Sequence, residues 1–249
     1  MREFEGMTAL VTGASNGIGA ETAAALASRG ASVLVHYYND GAGAGRVLER
    51  IRAAGGCGEP LQADLGSREG VRRFIAMLNR PIDILVNNAG SLVGRTRFLD
   101  FTEELWDRVF MLNLTSAMML AQAVLPGMIE RQRGFVVNVS SIAARNGGGI
   151  GALAYASAKA ALSSMTKGLA KEFVALGIRV NAVSPGTIDT NYHRYFSTQQ
   201  GLAAVAAATP MGRIGEPAEV AEVIVFLCTD AARFIQGQTI EINGGFLMV

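Results

Sequence analysis

The chain has 249 residues, half of them hydrophobic and 17% charged, with a formal net charge of +1, a balance that gives no reason to expect nucleic acid or an anionic membrane as partner. Its only cysteines, Cys57 and Cys228, lack C-x-x-C spacing, so neither a disulfide nor a metal site is expected. No secretory h-region interrupts "MREFEGMTAL" and no apolar run approaches the ~18 residues that span a bilayer, so a soluble, cytoplasmic protein is expected.

Short β-branched runs alternate with helical patterns along the chain. The first strand, "TALVT" (8–12), runs into "TGASNGIG", which sets Gly13, Gly17 and Gly19 between a strand and a helix. Glycines there allow a tight turn and let backbone N–H groups approach a pyrophosphate at a helix N-terminus. A tight turn with no ligand would use the same residues. The second strand, "SVLVHYY" (32–38), should end beside an adenosine ribose, where an acid would hold the 2′-hydroxyl of NAD and repel the 2′-phosphate of NADP. Tyr37 stands at that position, and Asp40 reads equally as a turn residue or a helix cap. With no acid there, and no arginine at Asn16 or Tyr38, NADP(H) is favoured and NAD(H) is the alternative.

The third strand, "EPLQA" (59–63), leads through Asp64 to Val71, Phe74, Ile75 and Leu78 at helical spacing, and Asp64 reads as that helix's N-cap. The fourth, "DILVN" (83–87), leads to "NNAG", and a long helix near 102–131 holds Asn113 in "MLNLT". The fifth, "FVVNVS" (135–140), ends at the adjacent Ser140 and Ser141. A helix beginning near Ala154 carries Tyr155 and Lys159 four positions apart, hence on one face, ahead of an apolar stripe from Leu162 to Leu176. The sixth strand, "IRVNAVS" (178–184), runs into "SPGTIDT" (184–190), and the mixed segment 191–217 reads as a lid. Val220, Val223, Ile224 and Leu227 mark a last helix before the seventh strand, "QTIEI" (238–242).

Repeated β-α-β units predict an α/β fold, a doubly wound parallel sheet of seven strands with helices on both faces, as one domain over 1–249. Ligands of such sheets bind outside the carboxyl ends of the strands. The unusual segments fall there one after another, so sequence-distant oddities gather on one rim.

The ordered set "TGASNGIG", "NNAG", "YASAK" and "SPGTIDT" resembles the short-chain dehydrogenase/reductase family in its roughly 250-residue form, over essentially the whole chain. The similarity to 3-oxoacyl-[acyl-carrier-protein] reductases is considerable. The resemblance implies a Rossmann-type fold and an NAD(P)(H)-dependent oxidoreductase of carbonyls and secondary alcohols. It places Ser15, Asn16 and Ile18, with the three glycines, at the cofactor phosphates and ribose, and Asp64 and Leu65 at the adenine. Asn88, Ala89 and Gly90 then lie along the dinucleotide, Pro185 and Gly186 beside it, and Ile188 and Thr190 at the nicotinamide carboxamide. The catalytic group carries over as Asn113, Ser141, Tyr155 and Lys159, the last two also touching cofactor. It further implies a homodimer or homotetramer paired through the two long helices, and a small-molecule substrate. Ser141 precedes Tyr155 by fourteen positions where the family usually has thirteen, an insertion that the cluster Gly147, Gly148, Gly149 and Gly151 can absorb.

A free phenol titrates near pH 10, and making it usable near neutrality takes about 4 kcal/mol of preference for the phenolate. A cation about 4 Å away at an effective dielectric of about 20 supplies roughly that. Lys159 is therefore expected to tune Tyr155, with Ser141 positioning the substrate oxygen and Asn113 anchoring a water. The basic residues used to dock an acyl carrier protein are missing at Gln132 and Leu176. His193 and Arg194 in the lid read as a solvated face sooner than an anion guide. A dinucleotide-binding regulator without turnover is the remote alternative, since such proteins typically lose the tyrosine or the lysine.

Overall fold

The computed structural model describes residues 3–249, the side chains of 192–194 excepted. Its strands are Thr8–Val11 (β1), Ser32–Tyr37 (β2), Cys57–Gln62 (β3), Ile84–Asn87 (β4), Gly134–Val139 (β5), Ile178–Pro185 (β6) and Thr239–Ile242 (β7). They form one sheet in the order β3-β2-β1-β4-β5-β6-β7, every pairing parallel. All seven expected strands are present. β3 starts two residues early, because backbone pairing with β2 from Ser32↔Cys57 onward carries an edge strand whose own side chains are mostly exposed.

The helices are Gly17–Ser28 (α1), Gly41–Ala53 (α2), Arg68–Ala76 (α3), Glu103–Phe110 (α4), Ser116–Glu130 (α5), Ala143–Asn146 (α6), Leu153–Phe173 (α7), Asn191–Phe196 (α8), Gln199–Ala208 (α9) and Pro217–Leu227 (α10). The segment expected as a lid thus contains α8 and α9. One face of the sheet is covered by α1, α2 and α10, with Leu26, Val47 and Ile224 in its core. The other is covered by α3, α5 and α7, with Phe74, Leu120, Met128 and Ala170. Strands covered on both sides need no alternation of polarity, and β1, β4 and β5 are buried almost throughout.

Between α4 and α5, Met111–Thr115 forms one π-helical turn, so the two run on as a single rod. That rod, Glu103–Glu130, is long and apolar enough to cross a membrane by length and composition, contrary to the expectation from apolar runs alone. Its Leu120, Val124, Leu125 and Met128 face the sheet, which accounts for their apolarity without lipid.

The order of the sheet brings the ends of β1 and β4 side by side, with their outgoing connections turning to opposite faces. That switch point leaves a crevice at the strand ends.

Candidate active site

The crevice is a cavity of about 910 Å³. Its first wall is the turn after β1. Gly13 (φ +62°) and Gly17 (φ +55°) are left-handed, a conformation that costs other residues about 1 kcal/mol or more. Gly19 faces inward, and a Cβ there would collide with the Gly13 carbonyl and the Asn88 amide. The first turn of α1 has neither a side-chain cap nor an acidic residue, whereas Asp40, Ser67, Thr102 and Thr198 cap α2, α3, α4 and α9. Its positive end therefore opens on the cavity uncompensated, beside Ser15, Asn16 and Ile18.

Two residues that hold this turn escaped the sequence reading. Thr12, nearly fully buried, accepts at Oγ1 from the backbone N–H groups of Asn88 and Ala89, both at 2.9 Å, and donates to the Val86 carbonyl. Asn88 returns the link, donating through Nδ2 to the carbonyls of Thr12 (2.8 Å) and Gly13 (3.0 Å). The "NNAG" segment is thereby clamped to the glycine turn. His36 is the second: the Gly13 N–H donates to its Nδ1 at 3.0 Å, and its Nε2 lies 3.3 Å from the Ala63 carbonyl. That bonding fixes the neutral tautomer with the proton on Nε2. In "VHYYND" the only available signal was a histidine at a strand end, which is usually a satisfied core residue.

Burial lowers the His36 pKa to about 4. Its folded value lies below the unfolded value near 6.5, so as pH falls the unfolded chain takes the proton first and stability drops between about 6.5 and 4. At 1.36 kcal/mol per unit the loss is about 3 kcal/mol. Urea unfolding at pH 7 and 4.5 should show His36→Gln losing less stability on acidification than the parent, by a kilocalorie or more. Equal losses would mean that His36 does not titrate as this geometry requires.

The end of the cavity expected to take an adenosine departs from expectation in two respects. The Tyr37 ring packs against the start of α2, 3.4 Å from where a Cβ on Gly41 would stand, and is absent from the cavity lining; Tyr38, Asn39 and Asp40 line it instead. A one-residue step along a strand reverses the side chain's face, which is how the count to Tyr37 missed. Asp64 does not cap α3, whose N-cap is Ser67; its Oδ1 accepts from Gly66 N at 2.8 Å in a turn at the cavity edge. Leu65 lines the cavity although its side chain belongs to the core.

At the far end the cavity is lined by Ser141, Tyr155 and Lys159, by Pro185 at the end of β6, and by Gly186, Ile188 and Thr190 after it. Both competing serines line the cavity, and their burial and partners tell them apart. Ser140 Oγ is buried and donates to the Lys159 carbonyl at 2.9 Å, beside Ser163 Oγ at 2.7 Å, while Ser141 is half-exposed at the cavity. Lys159 is 2% exposed; its Nζ donates to the Val139 carbonyl at 2.7 Å and lies 5.6 Å from the centre of the Tyr155 ring. Burial lowers its pKa to about 8, so it stays mainly charged at pH 7.

Asn113 sits in the π-turn, buried behind the cavity wall. It accepts from Ser91 N at Oδ1 and donates to the carbonyls of Ser91 and Val109. Gly90 lies directly over Asn113 and Lys159: a Cβ there would come 2.7 Å from Asn113 Oδ1 and 3.0 Å from Lys159 Nζ. Of the residues that the sequence assigned to the catalytic group and the cofactor, Gly19, Tyr37 and Asn113 do not line the cavity and the others do. Gly19 and Asn113 pack immediately behind it.

Residues 13–247 match a family model described as enoyl-(acyl carrier protein) reductase. The chain is 38% identical over 247 residues to the 3-oxoacyl-[acyl-carrier-protein] reductase FabG of Escherichia coli (strain K12), covering 99% of each. Two solved structures are similar throughout. One is 7α-hydroxysteroid dehydrogenase complexed with NADH and 7-oxo glycochenodeoxycholic acid, with TM-score 0.91, 33% identity and coverage of 98% of this chain and 95% of that one. The other is the angucycline C-6 ketoreductase LanV with bound NADP, with TM-score 0.91, 32% identity and coverage of 98% and 97%.

Proposed function

The chain belongs to the short-chain dehydrogenase/reductase family of nicotinamide-dependent oxidoreductases, and from that premise we propose that Tyr155 is its acid/base in hydride transfer between a nicotinamide and a carbonyl or secondary alcohol. The observation that carries this reading is the convergence of Ser141, Tyr155 and buried Lys159 at one end of a cavity whose other end is a glycine turn with an uncapped helix. The cradle fits a dinucleotide. Its wall keeps glycine at Gly90, where a Cβ would press on Asn113 and Lys159, and at Gly17, where one would stand 3.0 Å from Thr190.

When bound, the dinucleotide supplies or accepts the hydride. In reduction the Tyr155 hydroxyl gives its proton to the substrate oxygen, and in oxidation the phenolate takes the alcohol proton. The Ser141 hydroxyl donates to the same oxygen and fixes the carbonyl's direction. Lys159 stabilises the phenolate: 332/(20 × 5.6) gives about 3 kcal/mol at an effective dielectric of ~20, using the distance to the ring centre. Asn113 holds Ser91, hence the loop beneath Gly90, and acts as a positioning residue.

The test is a panel of ketones, aldehydes and a β-oxo thioester, offered with NADPH and with NADH. Steady consumption with any member supports the reading. Its absence with all of them favours a dinucleotide-binding regulator. Turnover restricted to the thioester would favour a 3-oxoacyl-[acyl-carrier-protein] reductase, a second reading supported by the full-length similarity to FabG.

Both dinucleotides should bind, NADP(H) ahead by less than about tenfold. Among the described residues no cation lines the adenosine end, but the Asp40 carboxylate is engaged by Gly43 N at the α2 N-terminus, which compensates its charge. Fluorescence titration checks this, and Tyr38→Arg should widen the margin. A clear NADH preference contradicts it.

Met118 and Leu153 remain exposed on α5 and α7, at ~25 cal/mol per Å² of apolar surface left in water. A homodimer or homotetramer paired through these helices would cover them. Light scattering should give a mass above the 26.2 kDa of one chain, and a monomer at micromolar concentration would count against it.

A further inference from the structure

The charged side chains around the cavity are unevenly distributed. The adenosine end carries Asp40 and Asp64; the substrate end carries Arg95, Arg108 and Arg213 with Glu219. Arg213 is neutralised there, its guanidinium gripping both oxygens of Glu219 at 2.8 and 2.6 Å. Among the described residues neither Arg95 nor Arg108 is in an ion pair, so two guanidinium groups face one cavity without a counter-charge.

Arg95 is also held in place. Its Nη1 donates to the Ile150 carbonyl at 2.8 Å. The loop before α7 leaves room for it: a Cβ on Gly151 would come 2.8 Å from Arg95 Cγ, and one on Gly149 would come 3.4 Å from Nη1. Two of the four glycines of this loop, Gly149 and Gly151, therefore lie against the arginine, while Gly147 and Gly148 do not. One donor fixes the fork, and Nη2 and Nε remain for a ligand. Arg108 reaches the cavity from α4, a separate element.

We propose that Arg95 and Arg108 recognise an anionic head group, and that the substrate is a carbonyl compound or alcohol bearing a carboxylate or a phosphate monoester. The inference rests on the hydride-transfer reading of the same site. A planar guanidinium pairs with either anion through parallel N–H···O bonds. Both guanidinium groups are exposed, so the anion gains charge-assisted hydrogen bonds that a neutral isostere cannot make, which biases kcat/KM towards the anion by at least about tenfold.

Matched substrates separate the outcomes: a series of oxo acids with their methyl esters and amides, and dihydroxyacetone phosphate with dihydroxyacetone. The expected result is an acid-to-ester or phosphate-to-hydroxyl ratio of kcat/KM of about ten or more, weakening as salt rises. Arg95→Gln and Arg108→Gln should each bring that ratio towards one, chiefly through KM. Arg108 is exposed and unpaired among the described residues, so its variant tests the idea even if Arg95→Gln disturbs the loop. Preference confined to one pair identifies the head group. Equal turnover of charged and neutral members by the parent, or a preference that survives both substitutions, overturns the proposal. Failure to reduce any member while another carbonyl of the wider panel is turned over overturns this proposal alone; failure with the whole panel and either dinucleotide overturns the hydride-transfer reading, and this inference with it.

Discussion

Tyr155→Phe should lower carbonyl reduction by about a thousandfold or more while changing dinucleotide affinity only a few-fold. The substitution deletes one oxygen and nothing else. Lys159, the glycine turn and the clamp between Thr12 and Asn88 lie outside the altered atom, so the cradle stays intact. A positioned acid/base group contributes 10²–10⁴ in rate, and loss of the group that transfers the proton, with Ser141 left only to hydrogen-bond the oxygen, belongs at the upper end. Single-turnover kinetics beside a fluorescence titration separates the two quantities. Near-normal turnover would reduce Tyr155 to a helix residue on a wet wall.

Lys159→Met should lower turnover by a hundredfold or more and weaken dinucleotide binding as well, with little effect on stability. Burial brings the lysine's pKa from 10.5 to about 8, so carrying the ammonium at pH 7 costs the fold about 3 kcal/mol that methionine does not incur. The same change leaves the Val139 carbonyl without its donor, a loss of about 1–3 kcal/mol. The terms nearly cancel, and the unfolding midpoint should move little. For the parent, the folded pKa below the unfolded one means that the lysine's contribution to stability rises between about pH 8 and 10.5, against an opposing contribution from buried Cys228 that the variant shares. That rise should be absent in the variant. In the oxidative direction its pH optimum should move up, since the phenolate has lost its cation. A variant that unfolds early yet turns over normally per folded molecule would make Lys159 a packing residue.

The sheet was legible because buried parallel strands announce themselves as β-branched runs between helical patterns, and all seven were found to within two residues. The site was legible where a motif combines turn chemistry with position. Gly13 and Gly17 are left-handed as the turn requires, and Ser141 and Lys159 reach the cavity that their order along the chain implied. The illegible part depended on side-chain direction. Whether Tyr37 or Tyr38 lines the cavity is decided by the pleat at the end of β2. Whether Asp64 or Ser67 caps α3 is decided by where the helix starts. Thr12, His36 and Arg95 act through hydrogen bonds to backbone carbonyls and amides 23 to 77 residues away, and no local pattern encodes such partners. His193 and Arg194 lie outside the described side chains.

The most direct test of hydride transfer is the fate of an isotope. Reduced dinucleotide carrying deuterium at the transferable nicotinamide position is offered with a ketone the enzyme turns over, and the alcohol is analysed by mass spectrometry and NMR. The account predicts one deuterium on the carbinol carbon of the product, none on its oxygen-bound hydrogen after exchange with water, and no labelled product from Tyr155→Phe on the same timescale. Product formed without deuterium on that carbon, or formed equally fast by Tyr155→Phe, would contradict it.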